Sequence, residues 1–236
     1  MAESLAGTMS LVGGDPTLDF VNTVGGRRPQ PGGEGSVVIR DKLVSYADLL
    51  AWSRHAGLLP ERSLRRLDRL ALVQPAEATA VLAQAVELRE ALHRALKVLM
   101  TGRDPRPADL RLLDRELRRA RESERLVRGP GRLTWSTHVA DARLESVLDP
   151  VRRAASALLT SAELPRLRQC SGQDCGWLFL DRSRNRSRHW CTMQDCGNRT
   201  KVRRFRARHV PAQRRKGSPG CLSGFVPARR GPGPTR

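Results

Sequence analysis

Four of the five cysteines form two equal pairs, and these are the residues whose type and spacing point most directly to chemistry. The first pair encloses Ser-Gly-Gln-Asp, the second encloses Thr-Met-Gln-Asp, and fifteen residues separate them. Zinc takes four thiolates in a tetrahedron, and a structural site uses all four positions for protein ligands. The spacing therefore predicts one structural Zn²⁺ bound by Cys170, Cys175, Cys191 and Cys196. Two disulfides or four ordinary buried thiols are the alternatives.

The positive charge of the chain is concentrated around these cysteines. The formal net charge is +19 over 236 residues. From Arg166 onward there are 18 Lys and Arg against 3 Asp, a surplus of +15, whereas residues 1–165 carry only +4. Such asymmetry favours a nucleic acid or another anionic partner.

The basic residues beside the second cysteine pair have the period of a helix. In TKVRRFRARH, the residues Val202, Phe205 and His209 share one face of the helix, and we expect this face to pack against the segment that holds the cysteines. A second basic group lies between the two pairs. The predicted nucleic-acid-binding residues are Arg182, Arg184, Arg186, Arg188, Arg199, Lys201, Arg203, Arg204 and Arg208. Phosphate contacts of this kind supply affinity without reading sequence, and a solvated charged face is the alternative.

The same segment carries a family resemblance. WLFLDRSRNRSRHWC (residues 177–191) and CGNRTKVRRFRARH (residues 196–209) resemble the CGNR zinc-finger family, although His189 stands where the family usually has arginine. LDFVNT (residues 18–23) and DLLAWSRHAGLL (residues 48–59) resemble the N-terminal domain often joined to this finger, called ABATE. The resemblance implies a bacterial transcription regulator with a DNA-binding finger, so DNA is expected ahead of RNA as the partner.

Three residues of the motif have expected supporting roles. Gly197 is expected to allow a tight turn beside the metal and to offer a backbone N–H to sulfur. Asn198 is expected to cap the following helix. Trp190 is expected to cover the metal site, with a base-stacking platform as the alternative.

Three polar residues follow or interrupt apolar stretches. Asp181 lies among arginines and is expected to hold Arg184 or Arg188 in a defined pose, or else to form an ordinary surface ion pair. Asp19 and Asn22 are candidates for lining a ligand pocket, with hydrogen bonds to local backbone as the preferred alternative.

The remaining elements predict a mainly α fold. Residues 1–165 are expected to form a mostly helical domain with a small β element that folds on its own and is regulatory or dimerising. Residues 24–36 are expected to be a flexible loop, Ser45 a helix cap, Pro75 the start of a long helix, residues 129–131 a hairpin turn, and residues 143–163 the fifth helix. Residues 166–210 are expected to form a treble-clef-like zinc finger. Residues 211–236, with Cys221, are expected to be a disordered basic tail.

Several function classes are disfavoured by what the sequence lacks. There is no apolar run of membrane-spanning or signal-peptide length, so we expect no membrane association and a cytoplasmic protein that joins the nucleoid when bound to DNA. No hydrolase, metalloprotease or deaminase motif is present, so we expect no enzyme. An RNA-binding protein, or a redox- or ligand-sensing zinc protein, remains the alternative. A small-molecule effector and a homodimer are compatible with the sequence.

Overall fold

Seven α-helices and three two-stranded sheets make up the part of the chain that the structure describes. The structure is a computed structural model and describes residues 4–30, 36–122, 124–137 and 143–209. The helices are α1 (Pro16–Val21), α2 (Tyr46–His55), α3 (Glu61–Val73), α4 (Pro75–Leu99), α5 (Pro107–Glu122), α6 (Asp149–Leu159) and α7 (Asn198–His209), and the antiparallel strand pairs are β1 (Val24–Pro29) with β2 (Ser36–Asp41), β3 (Glu124–Gly129) with β4 (Arg132–Thr137), and β5 (Leu167–Gln169) with β6 (Leu178–Leu180). The mainly α prediction is confirmed. The predicted tail and Cys221 lie outside the described residues.

Local signals explain where two of the helices begin. The Ser45 hydroxyl accepts the Asp48 backbone N–H, and the Asp48 carboxylate accepts the Ser45 N–H, a reciprocal cap that starts α2. Pro75 opens α4, where its missing N–H has no helical partner in any case. Both starts were predicted. Within the described ranges, no helix has the length and apolar character to cross a membrane.

The predicted flexible loop at residues 24–36 is wrong in its first half, because Val24–Pro29 is strand β1. Glycine suggested a loop, but Gly26 has another reason to be glycine. A Cβ at this position would collide with the carbonyl oxygen of Asp174, in the segment between the first two cysteines. Gly26 therefore permits close backbone approach, a role that glycine also takes within strands. Residues 31–35 lie outside the described part.

The predicted helix at residues 143–163 is shorter and begins later. Leu144–Leu148 forms a 3₁₀ turn, and the α-helix α6 covers Asp149–Leu159. Pro150 explains the boundary, because proline fits the first turn of a helix but breaks the hydrogen-bond ladder farther in. The hairpin predicted at residues 129–131 is confirmed, since β3 and β4 pair from Glu124↔Thr137 to Gly129↔Arg132.

One hydrophobic core extends across residue 165. The buried side chains of α4, among them Leu88 and Leu92, share a single cluster with Leu167, Leu178 and Leu180 of the last sheet. A second, smaller cluster contains the four cysteines and Phe179. The sheet β5–β6 therefore has one side in the helical core and the other against the cysteines. Independent folding of residues 1–165 stays a prediction.

Candidate metal centre and nucleic-acid interface

The four predicted ligands come together at one end of the sheet β5–β6. Cys170 follows β5 and Cys175 precedes β6, while Cys191 lies just before the turn Met193–Gly197 that leads into α7 and Cys196 lies within it. All four are buried and unlinked by disulfides, and their sulfur atoms lie within 4.8 Å of one another. The two-disulfide alternative is therefore wrong for these four residues. Two short cysteine pairs, separated by fifteen residues, thus produce one compact sulfur cluster.

The distances between the sulfur atoms fit a tetrahedral metal ion. A Zn–S bond of about 2.3 Å implies sulfur atoms about 3.8 Å apart in a regular tetrahedron. The Sγ atoms of Cys175 and Cys191 are 3.8 Å apart, and those of Cys191 and Cys196 are 3.6 Å apart. This chain therefore has a four-cysteine metal site, and Zn²⁺ fits its size and its soft donors.

Hydrogen-bond donors aimed at sulfur prepare two of the cysteines to be thiolates. Cys170 Sγ accepts the backbone N–H of Gly172 at 3.3 Å and that of Cys191 at 3.2 Å, and the Arg199 guanidinium lies 3.1 Å from Cys196 Sγ. Hydrogen bonds from the Cys175 and Cys191 side chains, together with these N–H groups, lower the pKa of Cys170 far below its ordinary value. The hydrogen bond that the Cys175 thiol donates to the Cys170 sulfur raises the pKa of Cys175. Four sulfur atoms this close would repel one another as thiolates, so all four can be deprotonated together only with a cation between them.

The predicted roles of Gly197 and Asn198 are wrong in detail. Gly197 has no positive φ and donates its N–H to the Thr192 carbonyl rather than to sulfur. It is a close-approach position, because a Cβ there would lie 2.5 Å from the sulfur of Met193. Asn198 does not cap, since its amide donates to Gln194 O. The cap is Thr192, whose hydroxyl accepts the Asp195 N–H. The spacing Thr-x-x-Asp was the missed signal.

Asp181 organises the loop between the cysteine pairs through backbone, not through a guanidinium. Its carboxylate accepts the Ser183 N–H at 2.9 Å, the Ser183 hydroxyl at 2.5 Å and the Arg188 N–H at 3.0 Å. The predicted ion pair with Arg184 or Arg188 is therefore replaced by a backbone clamp. The Ser183 hydrogen bond holds the pKa of Asp181 below its usual value, so it is a carboxylate at neutral pH.

Arg188 is a positioning residue. Its guanidinium donates to the carbonyl oxygens of Trp190 at 3.1 Å, Val12 at 3.0 Å and Cys191 at 2.5 Å, and it lies 4.1 Å from the ring of Phe179. Three carbonyls occupy most of its donors, so we remove Arg188 from the predicted phosphate-binding set. In the sequence, Arg188 is the last of four arginines at alternate positions, and this pattern does not separate the two roles.

Trp190 lies beside the cysteine cluster as a partly buried cover. It packs against that cluster and makes an edge contact with His189, the ring centroids being 5.7 Å apart. Its Nε1 atom is buried and has no hydrogen-bond partner among the described residues. This position favours the covering role over a platform for bases.

The finger (residues 166–209) is docked on the helical body (the described residues before 166) by hydrogen bonds to backbone atoms. Asn22, which is 1% exposed, donates to Leu178 O at 2.8 Å and accepts Leu178 N–H at 2.9 Å. Trp177 Nε1 donates to Val24 O at 2.9 Å, and the Arg27 N–H donates to Cys175 O at 3.0 Å. Asn22 is therefore a docking residue, a partner across 156 positions that local reasoning does not find.

Asp19 forms a hydrogen bond with local backbone, as the preferred alternative predicted. Its carboxylate accepts the Gly13 N–H at 2.8 Å. Burial raises its pKa above the ordinary value, while the backbone hydrogen bonds from Gly13 and Val12 act in the opposite direction. Gly13 in turn accepts the Leu180 N–H with its carbonyl at 2.9 Å. The two pocket candidates thus both contribute to the contacts between body and finger, Asn22 directly and Asp19 through Gly13.

Helix α7 projects from the finger with all its side chains from Lys201 to His209 exposed. The predicted packing of Val202, Phe205 and His209 on the finger is wrong. Val202 is 48% exposed and Phe205 62% exposed, and Phe205 stacks on His209 at 4.1 Å. Thr200, near the start of the helix, is the buried residue of α7. The helix is thus anchored at one end and free along its sides.

The predicted phosphate-binding residues divide into engaged and unengaged groups. Arg182 pairs with Glu163 at 2.6 Å and donates to Gly14 O, Arg199 contacts Cys196 sulfur, and Arg203 donates to Gln173 at 2.5 Å. Between Arg182 and His209, the exposed cations with neither an ion pair nor a side-chain hydrogen bond to the described residues are Arg184, Arg186, Lys201, Arg204, Arg206 and Arg208. Arg206 was not in the predicted set, although its position on the exposed helix matches that of its neighbours.

Comparison with known families agrees with this architecture. The model of the ABATE family, described as "Putative stress-induced transcription regulator", matches residues 14–162, and the model described as CGNR zinc finger matches residues 166–209. A comparison with curated proteins gave no significant match. The two family models follow one another as the resemblance predicted. With more than half of its length matched, the chain belongs to the ABATE family and carries a CGNR zinc finger at residues 166–209.

Proposed function

We propose that this protein is a DNA-binding transcription regulator in which one structural Zn²⁺ anchors a basic recognition helix. The observation that carries the proposal is α7. Its nine residues from Lys201 to His209 are all exposed, five are Lys or Arg, and none is acidic. A solvated surface helix normally mixes both signs of charge, so this helix is suited to a polyanion.

The size of α7 suits the major groove of DNA. Its twelve residues span about 18 Å at 1.5 Å per residue, and a B-DNA major groove about 12 Å wide admits a helix. Exposed Val202 and Phe205 lie on the same helix, and apolar side chains of this kind contact thymine methyl groups. Phosphate contacts and base contacts can therefore come from one element.

The metal is proposed to be structural, and the protein not to be an enzyme. Four cysteine sulfurs complete a tetrahedral shell, which leaves no position for a reacting water. When bound, the ion supplies a crosslink between the two knuckles. Cys196 lies within the turn that leads into α7, and Arg199 bonds its sulfur, so the shell fixes the base of the helix. The family description of a transcription regulator points in the same direction.

Duplex binding by the zinc-loaded full chain tests this proposal. Six unengaged cations neutralising six phosphates give a slope of log affinity against log salt of about −5, at ~0.9 per phosphate. Arg204→Ala with Arg208→Ala should reduce that slope by about 2. The matched control is Arg62→Ala with Arg69→Ala on the exposed face of α3, which removes the same charge elsewhere. Fluorescence anisotropy of a labelled duplex measures both.

Selection from a random duplex library, at one stated salt concentration, tests the regulatory part. A regulator should enrich particular sites by at least ~10³-fold over random sequence. Stronger binding to single-stranded or structured RNA of equal length would replace DNA by RNA as the partner. An unchanged slope in the α7 variant would show that α7 is only a solvated face, and no enrichment would refute sequence-specific regulation.

A further inference from the structure

A cavity of about 680 Å³ opens on the helical body away from the metal cluster, where β1, α4 and the segment before α5 meet. Gln169 of β5, the residue before Cys170, forms part of its lining. Pockets for small molecules usually have a volume of about 300–1,000 Å³. The cavity is thus large enough for a metabolite, and it borders the finger.

The lining carries more positive charge than negative. It includes six cationic side chains, Arg27, Arg28, Arg94, Lys97, Arg103 and Arg106, against the carboxylates of Glu90, Asp104 and Asp109. Arg27 pairs with Glu90 at 2.6 Å, and Asp109 accepts from both Arg94 and Arg106. The positive surplus therefore remains after these pairs have been formed.

Lys97 is the cation in this lining whose charge is least compensated. It is half-buried, and its ammonium donates to the amide oxygen of Gln169, with no carboxylate partner among the described residues. Burial without a counter-charge lowers the pKa of Lys97. Nearby Arg103 donates to the Thr101 hydroxyl and likewise has no carboxylate partner in the described part. An anion placed here would meet two cations that lack one.

His93 supplies a second, independent sign of a ligand. It lines the cavity, is only 6% exposed, and its Nε2 has no hydrogen-bond partner in the described chain. Buried polar atoms are nearly always satisfied, and leaving one unpaired is unfavourable by about 1–3 kcal/mol. A ligand atom would satisfy this nitrogen. Burial also lowers the pKa of His93 to about 3, so the ring is neutral at physiological pH.

We propose that the cavity is a binding site for a small organic anion, a molecule that carries a carboxylate or phosphate group and a further polar atom. Lys97 and Arg103 receive the anionic group, and His93, whose Nε2 is covered in this structure, bonds the polar atom once a neighbouring side chain moves aside. Val98 adds an apolar contact for the body of the ligand. This chemistry is separate from the exposed cations of α7, and the site does not depend on DNA binding.

A ligand bound in the cavity would affect the finger through two contacts. Lys97 is bonded to Gln169, which precedes the first metal ligand, and Arg28 pairs with Asp174 at 3.0 Å, which precedes the second. An anion that bonds Lys97 and Arg28 would break the Lys97–Gln169 hydrogen bond and the Arg28–Asp174 ion pair. The role of the ligand as an effector of DNA binding rests on the proposed function, whereas the site itself does not.

The test is calorimetric titration of the zinc-loaded full chain with succinate and, separately, with inorganic phosphate, at an ionic strength held constant with NaCl. The wild type should bind at least one probe saturably at one site. Lys97→Met and His93→Phe should each weaken that binding by about tenfold or more. Arg62→Ala, the charge-matched control on α3, and Arg204→Glu with Arg208→Glu on α7 should bind as the wild type does.

The outcomes separate this proposal from the proposed function. Since His93 Nε2 has no partner, His93→Phe removes no hydrogen bond that this nitrogen makes, and a thermal midpoint near that of the wild type confirms folding. Wild-type affinity in both cavity variants, or no saturable binding of either probe, would overturn the site. A probe-dependent change in the rate of zinc transfer to a chelator would support the coupling, and an unchanged rate would refute it. Failure of the duplex experiment would leave all these readings intact.

Discussion

Asn22→Ala tests whether the helical body and the finger unfold as one unit. Both polar atoms of the Asn22 side-chain amide bond to the backbone of Leu178, at 2.8 and 2.9 Å, and both residues are buried. Alanine would leave the Leu178 N–H and carbonyl without partners in a site closed to bulk water. Each unsatisfied buried group is destabilising by about 1–3 kcal/mol, so the expected loss is about 2–6 kcal/mol. Domains are stable by only about 5–15 kcal/mol, so the effect should be large.

Urea unfolding of the zinc-loaded chain, followed by circular dichroism and tryptophan fluorescence, measures this loss. Trp52 reports on the body and Trp190 on the finger, while Trp177 packs against both clusters and reports on the contact between them. The expected result is one coincident transition whose midpoint falls by about 1–3 M, for a slope near 2 kcal/mol per M. Asn198→Ala is the matched control, because that exposed amide makes one bond to Gln194 and its removal should change stability by less than about 0.5 kcal/mol.

Two outcomes would refute this reasoning. An Asn22→Ala midpoint equal to that of the control would mean that the docking contacts contribute nothing to stability. Two separated transitions, with only the finger signal moved, would instead support the sequence-based expectation that residues 1–165 fold alone. The shared cluster of Leu167, Leu178 and Leu180 with the helices argues for a single transition.

Three further predictions concern the metal and the cavity. Cys196→Ser should abolish stoichiometric zinc by elemental analysis, while Cys221→Ser should retain it. Gly172→Ala should lower metal affinity in a chelator competition, because its Cβ would lie 2.7 Å from Cys196 Sγ; Gly7→Ala, with no neighbour nearer than 3.5 Å, should not. His93, whose pKa burial lowers to about 3, must take up a proton on unfolding below its ordinary 6.5, so stability falls as pH falls. From pH 7 to 5.5 the loss should be about 1.2 kcal/mol, and His93→Phe should remove it; an equal loss in that variant would refute the assignment.

Features set by neighbouring residues could be predicted from the sequence. The cysteine spacing located the metal cluster, and Ser45 and Pro75 located two helix starts, because a cap or a ligand pair acts within a few residues. Thr192 carried the same kind of signal, which was assigned to Asn198 instead. In each case the chemistry is complete within one turn of chain.

Contacts between distant segments could not be predicted in this way. From the sequence, Gly26 was predicted to lie in a loop. Only the structure shows that the backbone of Asp174, far along the chain, packs against it. The sequence is equally compatible with Asn22 bonding local backbone, and only the structure shows that its partner is Leu178. Periodicity showed that Val202 and Phe205 share a face of α7, but it does not tell whether another element covers that face. The docking of the finger on the body determines all three.

The exposure of α7 explains why a metal site stands directly before a run of arginines. A twelve-residue helix is marginal by itself, and Arg204 with Arg208, four positions apart, adds repulsion between like charges. From Lys201 onward the helix has no buried side chain to stabilise it. Its first turn is held by Thr200, whose hydroxyl donates to Cys196 O at 2.7 Å, and by the Arg199 contact to sulfur. Both anchors involve Cys196, so we expect loss of the metal to unfold α7 as well as to change its direction.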